Sequence, residues 1–348
     1  MVNASNGVRK GKIALEEAFN LPEWAEMSSY QASLFTFDGN GAAHAKRLVD
    51  IHDTRLKKMD EHGVDYTILS LTAPGIQTFE DPKEAEANAT LANNWLAEQV
   101  KMNTQRFGAF AALSMHNPQQ AADELTRCVK EFGFLGALIN DNQRSGPGGD
   151  TPIFYDGPEW DVFWKTCEDL DVPFYLHPIA PKGDNFDKYW KQRQCLVGPV
   201  MSFANGVSAH LLGMVVNGVF DRFPKLKVII GHMGEKIPID LWRINHWLED
   251  VHRPRGTNKA KLGIRDYFAR NIWVTTSGDF DNNVMKYVIS EIGADRMMFS
   301  IDYPYETFEL ACKWFDQIKA EDVGITEEQL ESISRGKAIE VCKIKGLN

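Results

Sequence analysis

No apolar run in the 348-residue chain approaches the ~20 residues that a bilayer-crossing helix needs. The opening stretch MVNASNGVRK also has no apolar segment of signal-peptide type, so a cytoplasmic protein is expected and residues 1–10 read as a disordered lead. Cysteine is scarce and unpatterned. Cys128, Cys167, Cys195, Cys312 and Cys342 are odd in number and contain no CxxC, which supports neither a disulfide framework nor a cysteine metal site and leaves buried thiols. Positive charge is short: 38 basic against 48 acidic residues give a net charge of -10, so the positive field that nucleic acid or an anionic membrane requires is missing. Lys57 and Lys58 read as a solvated helix face. A GxGxxG after the first strand is absent, and GPGGD at 146–150 lacks the GK[ST] ending of a phosphate loop. Without a secretion signal, the glycosylation patterns at Asn3 and Asn88 are chance matches.

What is present is a uniform α/β pattern. Hydrophobic content of 43% and charged content of 25% suit a soluble globular chain. Its length accommodates a (β/α)8 barrel of roughly 250 residues plus insertions. Eight apolar runs read as strands: Lys12 to Glu17, Tyr66–Thr72, Phe107–Met115, Gly136–Asn140, Val172–His177, Leu226–His232, Ile272–Thr276 and Met297–Asp302. Helical patterns follow them, among them Ala45–His62, Pro118–Phe132, Phe203–Phe220 and Asn282–Ile292. The expected architecture is therefore a single (β/α)8 TIM-barrel domain over 11–348, with inserted loops at the C-terminal face; an open doubly wound sheet is the alternative. The irregular segment 20–45, with Trp24, Tyr30, Phe35 and Phe37, is long enough for a lid or a partner-contact loop. The stretch RSGPGGDTPIFYDG reads as a loop over the end of strand four.

The strand ends carry the chemistry. In MMFSIDYP, a period of two puts Met298, Ser300 and Asp302 on one face and Met297, Phe299 and Ile301 on the other, so one set can face a pocket and the other a packed layer. In KIALEE the same period pairs Ala14 with Glu16 and Ile13 with Leu15. Strands one, five, six and eight thus end on Glu16, His177, Gly231-His232 and Asp302, and in a barrel these four ends meet where active sites sit. Each has a bland explanation alone, such as a helix cap for Asp302, a surface ion pair for Glu16 or a core position for His177. Together they form one rim. Glu16, His177 and Asp302 make a three-donor set that leaves room for water and substrate, as a catalytic Zn, Mn or Mg ion requires. His232, if not a ligand, can carry protons, with Glu235 placed three residues on to orient it. The other histidines, His210 among them, read as structural or solvent-facing.

The stretches GKIALEEAF, FGAFAALSMHNP, CVKEFGFLGALINDNQ, WDVFWKTCEDLDVPFYLHP, SFANGVSAHLLGMVVNGVFDRFPKLKVIIGHMGE, WRINHW, IWVTTSG and FSIDYPYE run nearly end to end. In them the chain resembles the metal-dependent ortho-hydroxybenzoate decarboxylases of the amidohydrolase superfamily, with fungal 2,3-dihydroxybenzoate and salicylate decarboxylases as the nearest members. The resemblance implies reversible, non-oxidative decarboxylation (a carboxy-lyase of aromatic metabolism) that uses one divalent ion and no organic cofactor. The substrate would be an aromatic hydroxy acid, with carbon dioxide or bicarbonate as the other species, in a homodimer or homotetramer. First choice is 2,3-dihydroxybenzoate to catechol, with salicylate or 2,6-dihydroxybenzoate as alternatives. Carried over by position, the metal residues fall on Glu16, His177 and Asp302, and the proton-handling residues on Asp302, His232 and Glu235. Two departures stand out. Ala18 occupies the place of a further histidine ligand found in many superfamily members, although the fungal enzymes share the EEA form, and Lys236 puts a cation beside the relay.

A mechanism follows from the residues and the resemblance together: a protonated Asp302, resupplied through His232 and Glu235, protonates the ring carbon that bears the carboxylate. Arg243 of WRINHW is a candidate substrate contact, with a surface or inter-subunit salt bridge as the alternative. Tyr305 and the aromatics of 20–40 are candidates to close over the ring, with packing as the alternative. A superfamily hydrolase is disfavoured because Ala18 and the strand-four segment GALIN supply neither His-x-His nor a bridging lysine. A non-catalytic ligand-binding barrel is the remaining rival.

Overall fold

The structure is a computed structural model that describes residues 8–9, 11–26, 35 and 39–347. Tyr30 and Phe37 of the long insertion, and most of the expected lead, lie outside the described residues. Within that lead, the Arg9 amide bonds Asp316 at 3.0 Å and its guanidinium bonds the Ile318 carbonyl at 3.0 Å.

Among the described residues, eight parallel strands form the centre: β1 (Lys12–Phe19), β2 (Val64–Leu71), β3 (Phe107–Ala109), β4 (Ala137–Asn140), β5 (Phe174–His177), β6 (Val228–Ile230), β7 (Ile272–Thr275) and β8 (Met297–Met298). They pair in sequence order, β1 with β2 and β3, then β4 through β8. A bridge between Ala111 and Ala137 joins the two groups. This is the expected α/β barrel. Alternation divides its packing as the sequence suggests: Ile13, Leu15, Ile68, Tyr175, Ile229, Trp273 and Met298 fill the inside, while Ala14, Phe174, Val228, Phe299 and Ile301 belong to the layer between strands and helices.

Side chains close the ring between its last strand and its first. The Ser300 hydroxyl accepts from the backbone amides of Leu15 at 3.1 Å and Glu16 at 2.8 Å. The buried Glu17 carboxylate accepts from the amides of Ile301 at 3.1 Å and Tyr303 at 3.3 Å, and the Ala18 amide donates to the Tyr303 carbonyl at 2.7 Å. Glu17 thus fills in for missing ladder acceptors, and the buried Arg55 guanidinium bonds the Ala18 carbonyl beside it. Burial pushes the Glu17 carboxyl up to about 8, against the pull of Arg55.

Two local expectations change. The single helix expected over Ala45–His62 is two, Gly41–Val49 and Thr54–Glu61, because the Asp50 carboxylate accepts from the amides of Asp53 at 3.0 Å and Thr54 at 2.9 Å and so starts a new helix. The glycine-rich loop after strand four is partly a hairpin, Gln143–Ser145 against Thr151–Ile153, at the mouth of the barrel. No helix among the described residues is long and apolar enough to cross a membrane.

His210 is structural. It lies buried on the helix Ser202–Val216, where Nε2 accepts from the Tyr155 amide at 2.9 Å, which leaves Nδ1 to donate to the Asp141 carbonyl at 2.6 Å. Only the neutral ring can do both, and burial pushes its pKa down to about 4. Its contribution is therefore complete above the unfolded value near 6.5 and is lost as pH falls toward 4. In urea melts, the stability advantage of wild type over His210→Gln is expected to shrink by about 3 kcal/mol between pH 7 and pH 4. The opposite titration of the neighbouring Asp141, raised by burial to about 8, is common to both proteins and cancels in that difference.

Candidate metal and proton-transfer site

Alternation alone would put Glu16 on the Ala14 face. The pairing of β1 with β2 slips between Ala14 and Glu17, a bulge that turns Glu16 to the inside of the barrel mouth beside Leu15. There the hydroxyls of Tyr175 and Ser277 donate to Oε2, and Thr275 bonds both of those hydroxyls at 2.8 Å. The backbone of Gly231 makes room for this approach, since a Cβ there would lie 2.7 Å from Glu16 Oε2. With Oε2 held, Oε1 is buried and has no hydrogen bond, yet it lies 3.1 Å from His177 Nε2 and 3.6 Å from His232 Nε2.

His177 ends β5, and its Nδ1 donates to the Pro178 carbonyl at 2.8 Å, which turns Nε2 toward Glu16; burial works to lower its pKa, but Glu16 raises it in the bare site. His232 follows Gly231 after β6. Its Nδ1 is 2.6 Å from Glu235 Oε1, and its Nε2 is 3.6 Å from Asp302 Oδ2. His232, Glu235 and Asp302 all have left-handed backbone, with φ of 53°, 52° and 79°. Non-glycine residues occupy that region at a cost of about 1–2 kcal/mol each, so the surrounding packing must hold these turns in place. Gly278 lets the imidazole and carboxylate meet, because a Cβ there would be 2.8 Å from His232 Cδ2 and 3.5 Å from Asp302 Oδ2.

One donor atom each from Glu16, His177 and Asp302 lies within 4.8 Å of the others, and among the described residues no other such group is found. A buried carboxylate oxygen without a hydrogen bond, an imidazole nitrogen and a second carboxylate converging on one point fit a divalent ion. His232 sits beside this set with its other nitrogen committed to Glu235. The two carboxyls of the bare site differ strongly. Burial works to raise Glu16, but the charges of His232 and His177 hold it down at about 2. Burial raises Asp302 to about 6, with the Glu16 charge adding and His232 opposing. Burial would lower His232, yet Glu235 and Glu16 keep its pKa well above the usual histidine value.

The mouth opens into a cavity of about 250 Å³. His177, His232 and Asp302 form its floor, and Phe35, Pro178, Pro199 and Phe203 supply apolar wall. Tyr305 lines the cavity, with its hydroxyl 2.7 Å from Thr72 Oγ1, whereas Trp24 packs against Phe79. Arg243 is not a lining residue; it is exposed on the helix Leu241–His246. Lys236 bonds the Val200 carbonyl at 3.1 Å from an exposed position. Sequence reasoning missed Tyr175, Ser277 and Glu306. Tyr175 shares the inward face of β5 with His177 by simple alternation, and Ser277 is a polar residue just past the end of β7, so a signal existed for both. Since Tyr175 and Ser277 aim Glu16, Tyr175→Phe is expected to weaken Mn²⁺ binding by about 10–100-fold, measured by isothermal titration, and Glu16→Ala to abolish it.

Comparison with known proteins places the chain in a family. A family model described as amidohydrolase matches residues 40–341. The chain is 40% identical over 337 residues to the gamma-resorcylate decarboxylase of Polaromonas sp. strain JS666, covering 96% of this chain and 99% of that one. A crystal structure of dihydroxybenzoic acid decarboxylase from the same organism, with bound manganese and the inhibitor 2-nitroresorcinol, matches with a TM-score of 0.87 at 40% identity over 97% of this chain and 98% of that one. The 2,3-dihydroxybenzoate decarboxylase of Aspergillus niger is more distant, at 32% identity over 61% of this chain and 99% of its own. A barrel whose strand ends present Glu16, His177, His232 and Asp302, matched along most of its length by these proteins, belongs to the amidohydrolase family, in the branch of the hydroxybenzoate decarboxylases.

Proposed function

We propose that the protein is a metal-dependent ortho-hydroxybenzoate decarboxylase and that 2,6-dihydroxybenzoate is its substrate. The convergence of Glu16, His177 and Asp302 at the floor of an apolar cavity is the observation that carries the reading. The choice of 2,6- over 2,3-dihydroxybenzoate rests on the higher identity to the gamma-resorcylate enzyme than to the fungal one, 40% against 32%. Glu16, His177 and Asp302 would hold a divalent ion, which would supply positive charge to offset the negative charge of the bound acid.

The protein's own groups do the rest. The walls of Phe35, Phe203, Pro178 and Pro199 exclude water from the ring and fix its plane. Asp302, at the cavity floor beside His232, delivers a proton to the ring carbon bearing the carboxylate. The bond from that carbon to the carboxyl then breaks, its electron pair restores the aromatic ring, and carbon dioxide departs. The net change consumes one proton per carboxylate lost. His232, kept cationic by Glu235 and Glu16, lies 3.6 Å from Asp302 and reprotonates it.

Assembly into a dimer or tetramer belongs to the same proposal. Ile239, Trp242 and Trp247 are exposed on one segment, Trp242 by 71%, and apolar surface of that kind favours burial against another subunit. Arg243 shares the segment, which supports its inter-subunit role over a substrate contact.

The test is carbon dioxide release from 2,6-dihydroxybenzoate, 2,3-dihydroxybenzoate and salicylate by Mn²⁺-loaded protein. Turnover of 2,6-dihydroxybenzoate is expected, and Asp302→Asn should lose about 10²–10⁴-fold in kcat while still holding the ion. No release from any of the three, or unchanged turnover in Asp302→Asn, would contradict the proposal.

A further inference from the structure

Glu306 stands four residues beyond Asp302, its amide donating to the Asp302 carbonyl at 2.9 Å, and its side chain lines the substrate cavity. Its Oε2 is buried and has no hydrogen-bond partner. A buried carboxyl oxygen in that condition has lost its hydration and gained nothing in exchange unless something fills the site it faces. The rest of the described lining offers little else for a polar group. His177, His232 and Asp302 belong to the metal and proton-transfer floor, the Tyr305 hydroxyl is engaged by Thr72, and the remaining lining residues are apolar or glycine. A ring with one hydroxyl needs only the floor, whereas a ring with two hydroxyls carries a second polar group into this wall.

We infer that Glu306 is the specificity-determining residue that hydrogen-bonds the second ring hydroxyl of the substrate, so that the cavity selects dihydroxybenzoates over monohydroxybenzoates. The inference rests on the decarboxylase reading and adds the group that distinguishes substrates within it. Selection works in two ways. A second hydroxyl gains the bond, and a ring without it seals Glu306 from water with nothing in exchange, a penalty that lets a polar site reject an analogue lacking the hydroxyl. Glu306 is not required for the proton transfer itself, which Asp302, His232 and Glu235 complete.

Two measurements test this. In the first, kcat/KM for 2,6-dihydroxybenzoate, 2,3-dihydroxybenzoate and salicylate is compared among Mn²⁺-loaded wild type, Glu306→Gln and Glu306→Leu. Wild type is expected to favour one dihydroxybenzoate over salicylate by about 10–100-fold. Glu306→Leu should erase most of that preference, chiefly through a higher KM for the dihydroxy acid, with salicylate turnover retained. Glu306→Gln, which keeps shape and hydrogen-bonding atoms, should restore part of it. An unchanged ratio in Glu306→Leu, or an equal fall on all three acids, would overturn the inference, since the latter marks a structural or proton-transfer role. In the second, wild type alone is titrated with 2-nitrophenol and 2-nitroresorcinol, which cannot lose carbon dioxide and so report binding even if a variant misfolds or the decarboxylase reading fails. Tighter binding of 2-nitroresorcinol by about tenfold or more is expected, and equal binding would overturn the role of Glu306. Absence of turnover with preserved discrimination between the nitrophenols would instead remove the decarboxylase reading alone.

Discussion

The site depends on how the barrel closes. Between the last strand and the first, side chains take over from the backbone ladder: Ser300 bonds the amides of Leu15 and Glu16, and the Glu17 carboxylate bonds the amides of Ile301 and Tyr303. These contacts bring segments nearly 290 positions apart into fixed register, because Glu17 and Tyr303 are separated by 286 residues. The consequence is chemical. Glu16 and Asp302 lie on either side of this seam, so the bonds that complete the cylinder also set the two carboxylates beside each other. A carboxylate buried here, with Arg55 for company, would be a poor choice for stability alone, since desolvation opposes it. Its acceptors hold irregular backbone at the point where the chain must leave the sheet to build the site.

Across that seam the two carboxyls differ in acidity because their surroundings differ. Glu16 receives hydroxyl bonds from Tyr175 and Ser277 and faces two imidazoles, so it remains an anion. Asp302 has burial without comparable hydroxyl support, and the Glu16 charge pushes it further toward the protonated form. In the bare site, environment alone thus separates the acidities of two neighbouring carboxyls. His232 completes the arrangement by standing between Asp302 and Glu235, and Gly278 permits the close approach. The left-handed backbone at His232, Glu235 and Asp302 places all three in turns that regular strands or helices cannot supply.

Much of this was legible in the sequence, for local reasons. The last strand and the residues just after it keep a period of two through Ile301, so Met298 inside and Phe299 and Ile301 outside follow from MMFSIDYP, while a left-handed turn delivers Asp302 to the mouth. Helices with strong ends, such as Pro118–Phe132 and Asn282–Ile292, also match their sequence bounds, each starting beside a side-chain cap, Asn117 or Asp281. Strand one misled on the face of Glu16 because a bulge leaves no mark on alternation. Ala45–His62 looked like one helix because its apolar spacing runs through Asp50, whose carboxylate ends that run. Glu17 and Arg55 were not recognised because their partners are distant in the chain. Lys236 looked threatening to the relay by adjacency, but a left-handed turn aims its ammonium at Val200.

The central claim is that the closed seam gathers Glu16, His177 and Asp302 around a single ion. Anomalous diffraction from crystals of the protein grown with Mn²⁺ tests it most directly. The account predicts one dominant manganese peak about 2.0–2.2 Å from Glu16 Oε1, His177 Nε2 and an oxygen of Asp302. A manganese peak that touches fewer than two of these residues, or no peak at the barrel mouth, would contradict it.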